Sequence, residues 1–410
     1  MTIRVDTMRR IDHLAGVPLC AILTPIVYLY DFLCTIFSKS SSTPRKVLFI
    51  ELSEIGSAIL VDPALRETTR RGAEIYFLIF KSNQASLELL QTVPAERILT
   101  IDASGLFPLI KTTLTTLIQI HRLRIDTVID LELFSRFTAL LTGCSGAKRR
   151  VGYHIFHGEG LWRGDLLTHK VHYNPHIHIA KNFLSLVHAA FASESELPYS
   201  KVAFTDQDIQ LAQAQVSDVQ KEAIASRISS LIKDRFPTLP KTIILINPNA
   251  SDLLPQRRWA QERFAQLIQA AAIKWPDAVF LVTGSPEEKN YAEHVISLAD
   301  VPQAYNFAGM VKFNELPALY HLAQVMVTND SGPGHFSSVT PLPTVVLFGP
   351  ETPALYGSLG KSIPIFAGLS CSPCVSAANH RKTPCTNNVC MQAITVPQVI
   401  QAMQQWLGHP

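Results

Sequence analysis

The sequence predicts an α/β protein of two Rossmann-like, doubly wound sheets facing across a cleft, preceded by an apolar N-terminal segment. Three observations carry this. Apolar strand-like runs alternate with helical segments in two successive series, the mark of βαβ units and parallel sheets. A polar, Gln- and Ser-rich stretch (192–240) separates the series. The chain has 410 residues, about twice the usual size of one compact domain. Hydrophobic residues at 47% and charged residues at 17% exclude intrinsic disorder and collagen-like classes. A net charge of +3 gives no case for nucleic acid, which calls for a concentrated basic stripe. Lys148-Arg149-Arg150 is the nearest approach to one.

Residues 1–43 stand apart. Val17 to Phe37 is an apolar run whose only charge is Asp31, with Arg4, Arg9 and Arg10 before it and Lys39, Arg45 and Lys46 after. Its length just reaches the roughly 20 residues of a spanning helix. Pro18, Pro25 and Asp31 disfavour a clean span, the flanking charges give no orientation, and no small-x-small cleavage site follows. A monotopic anchor in the cytoplasmic leaflet is the expectation. A true span and a helix packed on the protein itself are the other readings.

The first series occupies 44–191. KVLFIEL (46–52), EIYFLIF (74–80), RILTI (97–101), DTVIDL (126–131) and KRRVGY (148–153) read as buried parallel strands. Helical stretches lie between them, including 57–71, bent at Pro63, and 108–123. The connection 192–240 is expected to carry one long helix over 206–233. The second series, 241–410, has strands at TIILINP (242–248), AVFLVTG (278–284), 305–307, VMVTND (325–330) and TVVLFG (344–349), with helices between, one of them at 334–340.

Two motifs carry chemistry. TNDSGPGHF (328–336) leaves a strand and enters a helix, and a Gly-rich turn there offers free backbone N–H groups to a diphosphate. Asp330 lies at the strand's carboxyl end, where doubly wound sheets place ligands. Its bland alternative is an ordinary strand–turn–helix connection. NPNASDLLPQRRW (247–259) delivers Ser251, Arg257 and Arg258 beside a helix start; a hydroxyl and an arginine fork can hold phosphate oxygens. Solvated surface charge is the bland reading of that loop. GSLGKS (357–362) lacks the spacing of a P-loop.

Together with VLFIELSEIGSAILVDPALR (47–66), LVTGSPEE (281–288) and FAGMVKFNELPALYHLAQVMVTNDSGPGHFSSV…PTVVLFGPETPALYG (307–357), these stretches resemble glycosyltransferase family 9, the ADP-heptose:lipopolysaccharide heptosyltransferases and their relatives, over roughly 45–405. The resemblance implies a GT-B fold and inverting transfer, with an ADP-sugar donor on the second domain and a lipopolysaccharide core acceptor on the first. It carries Ser251, Arg257, Arg258, Asp330, Ser331, Gly332 and His335 over as donor contacts, with Arg257 also stabilising the departing diphosphate. Such enzymes generally need no metal. The family's first loop ends in an Asp, the implied general base, but here Ser57 stands in its place. A Ser hydroxyl accepts no proton usefully near neutral pH, so Glu54, three residues upstream, becomes the expected base, with Glu51 and Asp62 behind it.

Lys148 and Arg149 are candidates for steering an anionic acceptor. Seven of the 14 histidines fall within 154–188 without an H-E-x-x-H arrangement; His176 and His178 suit a strand face, and acceptor contact or surface packing is expected rather than metal. Cys371, Cys374, Cys385 and Cys390 form C-x2-C-x10-C-x4-C, a spacing that suits a structural Zn or Fe, with disulfides or free thiols as alternatives. The expectation is thus a cytoplasmic, membrane-associated heptosyltransferase-like enzyme. Its rivals are a non-catalytic sugar-nucleotide or glycan binder, prompted by Ser57, and a nucleotide-dependent oxidoreductase, prompted by the Gly332/Gly334 spacing.

Overall fold

The structure, a computed structural model, describes residues 5–37, 43–52, 56–133, 135–157, 161–192, 200–251, 254–376, 379 and 381–408. Twelve strands form two six-stranded sheets. In the first sheet these are β1 (Lys46–Ile50), β2 (Glu74–Phe80), β3 (Ile98–Ile101), β4 (Thr127–Asp130), β5 (Arg149–Tyr153) and β6 (His169–Val171), in the order β3-β2-β1-β4-β5-β6. In the second they are β7 (Ile243–Asn247), β8 (Val279–Val282), β9 (Ala304–Asn306), β10 (Val325–Asn329), β11 (Thr344–Phe348) and β12 (Ser362–Phe366), in the order β12-β11-β10-β7-β8-β9. Every pairing is parallel. Counted from its own first strand, each sheet has the order 3-2-1-4-5-6 of a doubly wound dinucleotide fold. The chain divides near Gln210/Leu211 into two compact units, each with one sheet.

The strands are continuous apolar runs because helices cover both faces; all five residues of β7, of β10 and of β11 are buried. The second core adds Trp259, Phe264 and Leu267 from the helix side and Met391, Val399 and Met403 from the C-terminal helices. Two strands escape the sequence reading, β6 and β12. The expected helix over 206–233 is shorter, Asp218–Ile232, capped by Ser217 and Gln220 in a reciprocal box. Arg227 on that helix forks onto Glu315 at 3.1 and 3.2 Å, tying the connection to the second unit. The helical stretch after β1 breaks at Val61, so Pro63 enters the first turn of a new helix, Asp62–Arg70, instead of bending an old one.

The N-terminal segment is helical over Val5–Leu14 and Gly16–Phe37, and Gly16–Leu33 is long and apolar enough to cross a membrane by length and composition. In the structure it packs on the first unit. Cys20 and Val27 join Ala139 and Leu166 in a small core. Asp31 pairs at 2.5 Å with Arg150, whose side chain is 1% exposed, and Asp12 pairs at 3.2 Å with Arg136. Buried guanidinium groups need such partners, so this segment is part of the fold as well as an apolar surface.

Candidate functional site

The site is built where the second sheet reverses its strand order, at the carboxyl ends of β7 and β10. Asn247 ends β7 with its amide nitrogen 3.1 Å from Thr283 Oγ1, while its Oδ1 has no hydrogen-bond partner among the described residues. Asn329 ends β10 and stitches the following loop to the sheet. Its Nδ2 donates to the carbonyls of Pro248 (2.9 Å) and Asn249 (3.2 Å), and its Oδ1 accepts from the backbone N–H of Trp259 (3.0 Å). Trp259 is buried, stands edge-on to Phe264 at 5.1 Å, and donates its indole N–H to Ile394 O at 3.1 Å. Both ends of the 248–259 loop are therefore fixed by buried hydrogen bonds.

Ser251 and Arg257 are carried between those anchors. Ser251 is exposed, and its carbonyl accepts from Leu254 N at 3.3 Å. Arg257 closes a 3-10 turn, Pro255–Arg257, and reaches the strand end of β10. Its Nη1 lies 3.3 Å from the Asp330 carbonyl and 3.7 Å from the Asp330 carboxylate, and its Nε has no hydrogen-bond partner among the described residues. A buried guanidinium N–H left over beside a strand end is what a ligand would complete. Arg258 is used differently. It donates from Nε to Ala250 O at 2.9 Å and lies over the Tyr291 ring at 5.8 Å, so its fork closes the loop on itself.

After β10 the chain passes Asp330 and Ser331 into a six-residue helix, Gly332–Ser337. Ser331 is extended and its hydroxyl donates to Asn329 O at 3.1 Å. A Cβ at Gly332 would lie 3.0 Å from the Phe336 ring, tight enough to push the turn open. Asp330, Ser331, Gly332 and the partly exposed His335 thus occupy one turn, with Arg257 brought to it from the other loop. A positive fork facing a turn rich in backbone N–H groups can bind and stabilise a diphosphate.

The Cys-rich segment buttresses this loop. Gln256 Nε2 donates to Cys385 O at 3.0 Å, and Asn388 Nδ2 donates to the carbonyls of Gln256 and Arg258, both at 3.3 Å. Cys371, Cys374, Cys385 and Cys390 are free thiols. Cys374 Sγ donates to Thr383 Oγ1 and Cys385 Sγ to Asn387 Oδ1, each at 3.4 Å. Burial pushes the Cys390 thiol up, and Cys374 and Cys385 push it further. Among the described residues no group of three or more His, Cys, Asp or Glu is arranged to hold a metal ion. Cys374 and Cys385 thus have local hydroxyl and amide partners, while Cys390 lies in the second core.

In the first unit Glu54 lies outside the described residues. Ser57 is buried at the start of the helix Ser57–Leu60, and Glu51, directly after β1, is buried too. Asp62 is held within the fold, accepting from Arg66 Nε at 2.9 Å and Thr92 Oγ1 at 2.6 Å, which removes it as a free base. Lys148 and Arg149 sit at the amino end of β5, the edge opposite the ligand-binding one. Arg149 donates to Ala190 O (2.8 Å) and Ala192 O (3.0 Å), closing the end of the helix Ile179–Phe191. His178 caps the same helix by accepting from Ala180 N at 3.2 Å, so it faces no strand.

Sequence reasoning missed Asn329, Trp259 and Asn388, which position the loop without any motif to announce them. The family model for glycosyltransferase family 9 (heptosyltransferase) matches residues 118–383, well over half the chain. The chain belongs to glycosyltransferase family 9. No curated protein sequence matches it. Solved structures show the same fold. The E. coli ADP-heptose LPS heptosyltransferase II superposes with a TM-score of 0.65 at 19% identity, covering 88% of this chain and 98% of that one. A family 9 glycosyltransferase from Veillonella parvula gives 0.66 at 19% identity, covering 88% and 97%. E. coli heptosyltransferase WaaC with ADP gives 0.58 at 15% identity, covering 88% and 99%. The protein is therefore a heptosyltransferase-like glycosyltransferase of GT-B fold, and the oxidoreductase reading falls.

Proposed function

We propose that this family 9 enzyme transfers heptose, or a closely related sugar, from an ADP-sugar to a lipopolysaccharide core acceptor, with inversion at the anomeric carbon. The observation that carries the donor assignment is Arg257 held against Asp330 at the switch point of the second sheet, with Nε still to be satisfied. Ser251, Ser331, Gly332 and His335 are the further donor contacts, and Arg258 supports them through the Ala250 carbonyl. Arg257 neutralises charge on the departing diphosphate, a task that needs no catalytic metal when a fixed cation performs it. E. coli heptosyltransferase WaaC, of the same fold, is solved with ADP and with ADP-2-deoxy-2-fluoro heptose, which supports the choice of nucleotide.

The acceptor belongs to the first unit. Its hydroxyl must lose a proton as the new bond forms, and Ser57 cannot take it, so Glu54 is the proposed base. A lipid-linked acceptor is met at a membrane, which places the enzyme in the cytoplasm at the inner face of the inner membrane. The apolar face of the helix Gly16–Phe37 supports that location.

Thermal shift across ADP-, GDP- and UDP-sugars tests the donor, since a ligand at 100 Kd adds about 2.7 kcal/mol. ADP-sugars alone should raise the melting point, and Asp330→Ala should remove the shift while the protein still folds, as read by far-UV circular dichroism. A shift with a UDP-sugar alone would refute the assignment. Transfer assays then separate two readings. Glu54→Gln should abolish transfer and leave donor binding intact. A wild-type protein that binds ADP-heptose but transfers it to no acceptor would favour the non-catalytic binder that Ser57 suggests.

A further inference from the structure

We propose that the helix Leu106–Leu123 is a second membrane contact, which works with the outer face of the helix Gly16–Phe37 to seat the first unit flat on an anionic bilayer. This rests on the membrane-side reading given above and adds where, and in which posture, the protein meets lipid. The helix Leu106–Leu123 has two apolar sides. Ile120 is buried, and Leu109 and Leu117 pack on the core beneath the first sheet. On the adjoining, outward side Phe107 is 76% exposed, Ile110 52%, Leu114 57% and Ile118 51%. At 100° per residue these four fall within an arc of about 80°. Monomeric soluble proteins seldom leave such a stripe uncovered.

Charge identifies the occupant. The helix holds Lys111 and Arg122 and no acidic residue, and both cations are exposed beside the stripe. Arg124, directly after the helix, is exposed, and so is Lys148, two residues beyond the Gly146 that packs against His121. An apolar stripe edged by cations matches acyl chains edged by anionic headgroups. It also gives Lys148 a use at the edge of the sheet where no ligand is expected.

The surface is continuous with the N-terminal helix. The Tyr30 hydroxyl donates to Gly146 O at 3.4 Å, and His121 Nε2 lies 3.1 Å from Cys144 O, so both helices touch the same 144–146 turn. On the N-terminal helix Leu19, Ile22, Ile26, Leu29 and Leu33 repeat at helical spacing and are exposed. That helix cannot leave the unit to span a bilayer without stripping Asp31 from buried Arg150 and Asp12 from buried Arg136. The posture that keeps both ion pairs and wets neither stripe lies along the surface.

Sedimentation of the full-length protein with vesicles of phosphatidylcholine, with and without phosphatidylglycerol, tests this. The wild type should bind the anionic vesicles more tightly. The triple variant Phe107→Gln, Ile110→Gln, Leu114→Gln should lose at least about tenfold in vesicle affinity, and Lys111→Glu with Arg122→Glu should erase the preference for phosphatidylglycerol. Both should keep the wild-type melting point and its shift with ADP. A triple variant that binds like wild type overturns the second contact alone, whereas wild type that binds neither vesicle overturns the membrane reading with it. If the triple variant instead disperses a dimer and leaves vesicle binding unchanged, the stripe is an interface between copies and the proposal is wrong.

Discussion

The two sheets share one topology, and an aspartate stands at the switch point of each, yet the two carboxylates live in different chemistry. Asp130 ends β4, is fully buried, and is met by Arg163 Nη1 at 2.9 Å, by Thr138 Oγ1 at 3.1 Å and by Glu132 N at 3.1 Å. Burial pushes its carboxyl up, and Arg163 and these donors pull against that. Arg163 also donates to the carbonyls of Glu132 (2.7 Å) and Tyr153 (2.8 Å). At the second switch point the cation, Arg257, arrives on a loop, stands 3.7 Å from the Asp330 carboxylate, and keeps an N–H in reserve. One fold thus fills its crevice with its own charges at Asp130 and leaves a guanidinium N–H without a partner at Asp330. Position in the topology marks where a ligand could sit; the completeness of the hydrogen bonding tells whether the protein already occupies the place.

The strongest way to break this comparison is to cut the first pair. Arg163→Met should destabilise the protein by about 3–5 kcal/mol in urea unfolding, because it strands a buried carboxylate, and Asp130→Asn with Arg163→Met should recover part of the loss. A single variant within about 1 kcal/mol of wild type would mean that the first switch point is no more structural than the second. The matching change in the second unit should fall on catalysis. Arg257→Ala is expected to lower kcat by roughly 10²–10³-fold with a smaller change in donor affinity; equal losses in kcat and affinity would reduce Arg257 to a binding contact. A smaller effect reports the first unit alone. Burial, then the charges of Arg149 and Arg150, lower His169 from 6.5 to about 4. Since Arg149 only donates, the His169 Nε2 it approaches at 3.4 Å accepts, and the ring proton sits on Nδ1 toward Thr168 Oγ1 at 2.8 Å. The unfolded chain then binds the extra proton between pH 6.5 and about 4, so stability falls as pH drops through that window, by roughly 3 kcal/mol. His169→Gln should flatten the dependence, and an unchanged slope would assign it to other groups.

Much of this architecture was legible because buried parallel strands leave uninterrupted apolar runs, as in β1, β2, β7, β10 and β11. The two missed strands lack that mark. β6 is three residues long with two polar members, and β12 contains Pro364, which a sheet tolerates at an edge, where β12 in fact pairs only with β11. The helix expected over 206–233 starts only at Asp218, because the Ser217 side chain and Gln220 close a capping box that sets its first turn. Within the site, Arg257 and Asp330 could be found by their places after strand ends. The different fate of Arg258 could not, since its partner is the Ala250 carbonyl, and a backbone acceptor leaves no trace in residue type. The same holds for Asn329 and Asn388, whose partners are carbonyls of the 248–258 stretch.

The hydrogen bonds that set the Arg257 loop come from residues far downstream, and this imposes an order on synthesis. β7 emerges first in its unit but must wait for β10 to supply Asn329, and the loop it feeds waits longer, for Asn388 and then for the Ile394 carbonyl that receives the Trp259 indole. A nascent chain halted before Ile394 would carry every strand of the second sheet and still lack the groove's final brace. Chains are made at about 5–20 residues per second, so the roughly 135 residues between the tryptophan and its acceptor correspond to several seconds in which the sheet can close while its most charged loop is unfinished. The 388–394 stretch is thus a keystone: the loop that carries Arg257 is set only after it has been made.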